Sequence, residues 1–226
     1  MSALEKVIGV FLSPKKTFEA IDQRPDWVVP LIIILFIILV FTIVTAPVTI
    51  PEQMEKQKER MEERGMSDEQ IETALATGEK FGKIIGPIGA VIGTVVMLLI
   101  FTLILWFVGN ILLGGQTSFV KMFSVYNYSS LIGMVGMLLS IPIILSKKTA
   151  NVHFSLASFL SEDQSKTLPY QILKQFSVFS IWQFAVLAIG FAVIYKFSMK
   201  KSAWTMVVLF LIAAALAVTF ERIFAS

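Results

Sequence analysis

Long apolar stretches alternate with short polar connections along most of the chain. A helix that crosses a lipid bilayer needs about 20 mostly apolar residues, because each residue advances about 1.5 Å through a hydrocarbon core about 30 Å thick. Five stretches meet this requirement, approximately 27–46, 84–113, 122–145, 172–195 and 203–224. The pattern therefore predicts an all-α fold, a polytopic membrane helical bundle with five transmembrane helices and N-terminal amphipathic helices.

The first 26 residues are too polar to enter the hydrocarbon core as a spanning helix. Apolar residues still recur there at helical spacing: Leu4, Val7, Ile8, Phe11 and Leu12. Ser13 followed by Pro14 is typical of an N-cap and the first residue of a second short helix. We therefore predict that residues 1–26 form interfacial amphipathic helices, with Lys15 and Lys16 in contact with phospholipid headgroups.

Residues 47–83 form the longest polar segment between predicted spans, with nine acidic and six basic residues. Gly65 interrupts the segment, and Ser67 with Gln70 three positions later is typical of a capping box at a helix start. We predict an extramembrane charged helical hairpin inserted in a transmembrane domain of residues 27–226. The sequence leaves open whether this hairpin is only solvated or also docks a partner.

Composition excludes several functional classes. The chain has no cysteine and a single histidine, His153, which excludes thiolate chemistry and multi-histidine metal sites. We expect His153 in a surface loop. The 19 basic residues are spread over several connections, so nucleic-acid binding has no support. We predict no enzymatic activity, no catalytic residue, no cofactor and no metal.

Charges at the predicted spans lie at their ends, as Lys121, Lys196 and Glu221 do. This distribution disfavours a charged transport path. The polar candidates inside the spans are uncharged: Asn110, Tyr126, Asn127 and Gln183. Such groups usually hydrogen-bond to neighbouring helices. The alternative is an intramembrane site for a ligand or a lipid.

Small residues recur four positions apart on two predicted spans. Gly89 and Gly93 do so on the second span, and Ala213 and Ala217 on the fifth. This spacing lets helix backbones approach closely. It predicts helix packing, either within one bundle or between copies of the chain.

Four short motifs then follow one another along nearly the whole chain. They are Phe11-Leu-Ser13-Pro14-Lys-Lys-Thr17-Phe18, Gly65-Met-Ser67-Asp-Glu-Gln70, Gly114-Gly115-Gln-Thr-Ser-Phe119 and Ile181-Trp182 with Gly190. Together with five spans, their order resembles the bacterial branch of the Yip family. The resemblance implies a five-helix membrane domain with a cytoplasmic N-terminus.

Eukaryotic relatives are linked to Rab-type GTPases and vesicle traffic, and they carry an Asp-Leu-Tyr-Gly-Pro stretch that this sequence lacks. Bacterial relatives commonly have a proline after the Tyr-Ser segment of the third span, where this chain continues from Ser130 into Leu131. Both departures argue against carrying GTPase binding over to this protein.

Two functions follow from these observations. The leading hypothesis is a non-enzymatic membrane-organising or partner-binding scaffold whose partners are membrane lipids and either other proteins or a second copy of the chain. The alternative is a small-molecule or lipid transporter with an uncharged polar cavity around Asn110, Asn127 and Gln183. The predicted location is the cytoplasmic (inner) membrane of a bacterium, with the C-terminus opposite a cytoplasmic N-terminus.

Overall fold

The computed structural model describes residues 1–161, 164–165 and 167–225. Their regular structure is helical: α1 Ala3–Leu12, α2 Pro14–Gln23, α3 Val28–Glu63, α4 Asp68–Phe107, α5 Phe119–Lys147, α6 Leu168–Gln175, α7 Val178–Tyr195 and α8 Met199–Ala225. A π-helical turn, Val108–Leu112, continues α4, and a short 3-10 helix covers Leu156–Phe159. Five helices are long and apolar enough to cross a membrane: α3, α4 with its π turn, α5, α7 and α8. The predicted all-α fold with five spans is confirmed.

The chain forms two compact units. The first contains Met1–Ile34, Met97–Gly136 and His153–Ser226, and the second contains Leu35–Val96 and Met137–Val152.

In the first unit, α7 contacts α2 and α8, and α5 runs antiparallel to it. Gly136 on α5 lies against Phe179 near the start of α7, and Val125 lies against Gly190 near its end. Polar side chains line the buried face of α5: Ser124, Asn127, Ser129 and Ser130. Each donates a hydrogen bond to the carbonyl four residues earlier, so the helix itself satisfies these donors.

The fourth span is shorter than the predicted 172–195, because the chain breaks between α6 and α7. Ser177 caps α7 by accepting a hydrogen bond from the Ser180 amide at 3.2 Å. The Val178 amide donates to the Phe154 carbonyl at 3.0 Å, so residues around Ser177 pair briefly with residues around Ser155. These backbone bonds draw the chain out of a helical path, and residues 172–177 are therefore not part of the span.

In the second unit, the charged segment and the apolar segments share the same helices. α3 continues through Pro47 and Pro51 to Glu63, without a loop at the predicted boundary. Gly65 adopts a φ of +73° in the turn that follows, which confirms the predicted interruption. The predicted capping box is also present. The Ser67 amide donates to Gln70 Oε1 at 3.1 Å, and the Gln70 amide donates to Ser67 Oγ at 3.4 Å.

Candidate functional site at the docked N-terminal hairpin

Helices α1 and α2, residues 3–23, form what we call the N-terminal hairpin. Ser2 and Glu5 make a capping box at the start of α1. Ser13 is the N-cap residue of α2 with Pro14 at the first helical position, as predicted, although the Ser13 side chain makes no capping bond. Thr17 packs on Gly9, where a Cβ would collide with the Thr17 hydroxyl. The two helices therefore touch each other closely.

One face of α2 is buried in the first unit. Thr17, Phe18 and Ile21 have no exposed surface. A Cβ at Gly190 would lie 3.2 Å from the Phe18 ring and 2.5 Å from Val125. Phe18 therefore occupies space between α5 and α7 that the missing side chain of Gly190 leaves open.

Asp22 joins three helices at one end of this unit. Its carboxylate accepts hydrogen bonds from Lys121 at the start of α5, at 2.8 Å, and from Lys196 at the end of α7, at 2.6 Å. We call these three residues the Asp22 cluster. Burial alone would raise the pKa of Asp22, but the hydrogen bonds and charges of the two lysines outweigh it and hold that pKa below its usual value of 3.8.

A second charged group links α1 to the same region. The Lys6 side chain is only 4% exposed, and its ammonium donates to the Arg24 carbonyl at 3.1 Å and lies 3.9 Å from the Asp26 carboxylate. The Tyr128 hydroxyl donates to Asp26 at 3.3 Å. A buried ammonium is stable only when it is paired. The hairpin is therefore attached through two ionic contacts as well as an apolar face.

A family model described as the Yip1 domain matches residues 8–220. The chain belongs to the Yip1 domain family. The match begins inside α1 and ends inside α8, so it includes most of the docked hairpin, four spanning helices in full and most of the fifth. No curated protein and no solved structure matches the chain.

Family membership and five apolar helices together identify a polytopic integral membrane protein. The Yip1 domain family is not a known enzyme family. The predicted resemblance to the Yip family is confirmed, and membership of its bacterial branch stays a prediction.

The three predicted amides contact three different partners. Asn110 Nδ2 donates to the Thr117 carbonyl at 3.0 Å. Asn127 Nδ2 donates to the Phe123 carbonyl at 2.7 Å. Gln183 Nε2 donates to Ser130 Oγ at 3.4 Å. These bonds support helix and loop packing as the role of the amides, and a transport cavity around them stays a prediction.

Other candidates occupy distinct environments. The Tyr126 ring packs on Phe101 with centroids 6.0 Å apart. Lys15 and Lys16 are exposed on α2, and their contact with headgroups stays a prediction.

His153, expected in a surface loop, lies in the connection before α6 but is half-buried, with its ring 6.3 Å from that of Tyr170. Burial, with the charge of nearby Lys174, lowers the pKa of His153.

The small residues of the two predicted pairs also differ. A Cβ on Gly89 or Gly93 would meet no atom within 4 Å, whereas Ala213 and Ala217 are half-buried on α8. The glycines with the closest contacts lie elsewhere. A Cβ on Gly109 would collide with the Tyr195 ring. Sequence spacing did not identify Gly109, because a single glycine facing an aromatic residue on another helix leaves no periodic pattern.

The second unit contains an open cleft of about 790 Å³ between α3 and α4. Its floor is apolar and includes Ile43, Ile50 and Leu75, while Lys58 and Glu79 contribute charge at its edge. Most of the lining belongs to residues 47–83, the predicted charged hairpin, and Ile43 and Ala46 come from the end of the first predicted span.

The pH dependence of the Asp22 cluster follows from the direction of its pKa shift. A carboxylate whose folded pKa is depressed stabilises the fold above its unfolded pKa and loses that effect as the pH falls through the folded value. We expect Asp22→Asn to lower the thermal stability of the purified protein by the same amount between about pH 5 and 7. The difference from wild type should shrink only below 3.8, the unshifted pKa. A difference that changes between pH 5 and 7 would contradict this assignment.

Proposed function

We propose that this Yip1-family protein is a non-enzymatic scaffold that organises the membrane or holds partners through its N-terminal hairpin. The observation that carries this proposal is the docking of the hairpin. Buried Phe18 and the Asp22 cluster fix it on α5 and α7, while Leu4, Ile8 and Leu12 of α1 stay exposed at 67%, 53% and 77%. A rigidly held surface with large apolar side chains suits contact with lipid or with another membrane protein.

The proposed location is the cytoplasmic membrane of a bacterium, with the N-terminus inside. Basic side chains gather where α5 and α8 start and α7 ends: Lys121, Lys196, Lys200 and Lys201. Cytoplasmic connections are typically rich in lysine and arginine. Fusing a reporter that is active only outside the cytoplasm to the C-terminus tests this orientation, and an inactive fusion would contradict it.

The open glycine face of α4 supports a second copy of the chain as one partner. At Gly82 and Gly86, as at Gly89 and Gly93, a Cβ would meet no atom of the described residues within 4 Å. Close helix contacts between copies use such faces. Disulfide cross-linking of the Gly93→Cys variant tests this proposal, since the wild type has no cysteine. Failure to cross-link in native membranes would contradict it.

The scaffold itself is tested by a triple substitution of the exposed α1 face, Leu4→Ser, Ile8→Ser and Leu12→Ser. We expect at least a roughly fivefold loss of proteins cross-linked to the chain in native membranes, a change equivalent to about 1 kcal/mol. The fold should persist, because the three side chains point away from the buried face of the hairpin.

The matched control is the double substitution Leu156→Ser and Phe159→Ser, which removes two exposed apolar side chains of the same unit, 45% and 86% exposed, outside the hairpin. It should leave recovery unchanged. An identical interaction profile for the triple variant and the wild type would refute the scaffold role of the hairpin.

A further inference from the structure

The N-terminal hairpin lies lengthwise along α7. The Phe11 ring is 5.9 Å from the Trp182 ring, and the Asp22 carboxylate is 2.6 Å from the Lys196 ammonium. Trp182 and Lys196 are separated by about 21 Å along the α7 axis at 1.5 Å per residue. The turn between α1 and α2 is therefore near Trp182, and the open end of the hairpin is near Lys196.

Helix α8 marks the depth of the bilayer in the same unit. Between Lys201 and Glu221, its large exposed apolar side chains are Trp204, Val207, Val208, Leu211, Ile212, Leu216 and Phe220. The stretch from Trp204 to Phe220 is about 24 Å long at the rise of an α-helix, and it follows directly on Lys200 and Lys201, while a hydrocarbon core is about 30 Å thick. The core therefore begins at about the level of Trp204.

A contact between two aromatic rings shows which residue of α7 lies at the same depth as Phe210 of α8. The Phe210 ring packs on the Phe184 ring with centroids 5.0 Å apart. Phe210 lies about 9 Å along α8 from Trp204, which places Phe184 about 9 Å inside the hydrocarbon core. Trp182 is then about 12 Å inside the core, and Lys196 is about 9 Å outside it on the same side. The Asp22 cluster is consequently at headgroup level, while the hairpin turn is inside the hydrocarbon of one leaflet.

The outer faces of the two hairpin helices differ in polarity. Leu4, Ile8 and Leu12 follow one another at intervals of four and form an exposed apolar stripe on α1. On α2 the exposed side chains near the turn are Lys15 and Lys16. At this depth the α1 stripe suits acyl chains, whereas two exposed ammonium groups require water or headgroups within reach.

We propose that the N-terminal hairpin is a re-entrant element that stands in one leaflet along α7 and locally thins that leaflet at Lys15 and Lys16. Lysine side chains extend toward water from a buried backbone, and headgroups descend to meet them. Acyl chains of the same leaflet cover the α1 stripe. The inference rests on the proposed membrane-organising function. It explains how the protein would organise the membrane, because the hairpin displaces lipid in one leaflet and not in the other.

The absence of cysteine in the wild type allows a direct test with single-cysteine variants carrying a nitroxide label. The labelled variants are Leu4→Cys, Ile8→Cys, Leu12→Cys and Lys16→Cys, with Trp204→Cys and Leu211→Cys on α8 as depth references. Each protein is placed in vesicles of equimolar phosphatidylcholine and phosphatidylglycerol. Collision rates with oxygen and with a nickel chelate then give the depth of each label.

We expect depth to increase from Leu4 to Leu12 by about 12 Å, and Leu12 to match Leu211. The Lys16 label should meet the nickel chelate far more often than the Leu12 label, although both residues flank the same turn. Equal depths at Leu4, Ile8 and Leu12 would indicate a hairpin lying flat in the interface and would overturn the proposal. A Lys16 label as shielded from the chelate as the Leu12 label would overturn leaflet thinning.

The depth measurement uses purified protein and needs no partner. A depth gradient combined with unchanged partner recovery in the triple serine variant would therefore reject the scaffold role alone. A flat hairpin combined with reduced recovery would reject the re-entrant geometry alone.

Discussion

Truncating Phe18 to alanine is expected to destabilise the first unit by about 3–5 kcal/mol, the usual cost of removing a buried phenylalanine ring. Phe18 has no exposed surface and lies against Gly190 on α7. The free energy of unfolding in detergent micelles, measured by chemical denaturation, provides the test.

Phe159→Ala is the matched control, because the same ring is removed from a residue of the same unit that is 86% exposed. We expect a change within about 0.5 kcal/mol for this control. Equal effects for Phe18→Ala and Phe159→Ala would contradict the docking of the hairpin.

Enlarging Gly190 to leucine should produce the second large effect. Its Cβ alone would come within 2.5 Å of Val125 and 3.2 Å of the Phe18 ring. Either α2 or α5 must then move, and overpacking of this kind typically costs about 1–3 kcal/mol. We expect α2 to move, since it has 10 residues whereas α5 has 29. Limited proteolysis should then cut the variant near residues 13–16 faster than the wild type.

Gly93→Leu is the control for this substitution, since a Cβ there meets no atom within 4 Å. Proteolysis of the hairpin should match that of the wild type. If the Gly190→Leu variant is cleaved no faster than the wild type and has the same free energy of unfolding, Phe18 does not need the space that Gly190 leaves open.

The sequence predicted the spans well because a helix that crosses a bilayer must be long and mostly apolar. Long apolar runs without charge are what a bilayer requires, and α5 and α8 contain the predicted segments almost unchanged. The break before α7 was not predictable in this way. Ile172, Leu173 and Phe176 are apolar enough to extend the span, and the backbone bonds that separate it from α6 come from Phe154 and Leu156, which are distant in sequence.

The candidate site was predictable in its parts but not in its assembly. Helical spacing places Phe18 and Ile21 on one face of α2, yet no sequence pattern specifies which surface will cover that face. The Asp22 cluster depends on residues from three helices, about 100 and 170 positions apart, and single charges at span ends leave no local signature. Gly190 appeared in a motif before its role in accommodating Phe18 could be known.

The continuity of α3 and α4 has a mechanical consequence within the second unit. Apolar and charged parts of each helix share one ladder of backbone hydrogen bonds, whereas a loop between them would let them move independently. In α4, Pro87 removes one amide donor from this ladder, so force applied to the charged end is transmitted along the axis as far as Pro87, where the helix bends most easily. On α3, Pro47 and Pro51 each remove one amide donor from that ladder. Bending of α3 should therefore concentrate at these two prolines. A force on the charged end of α3 would bend the helix there before it moved the apolar part.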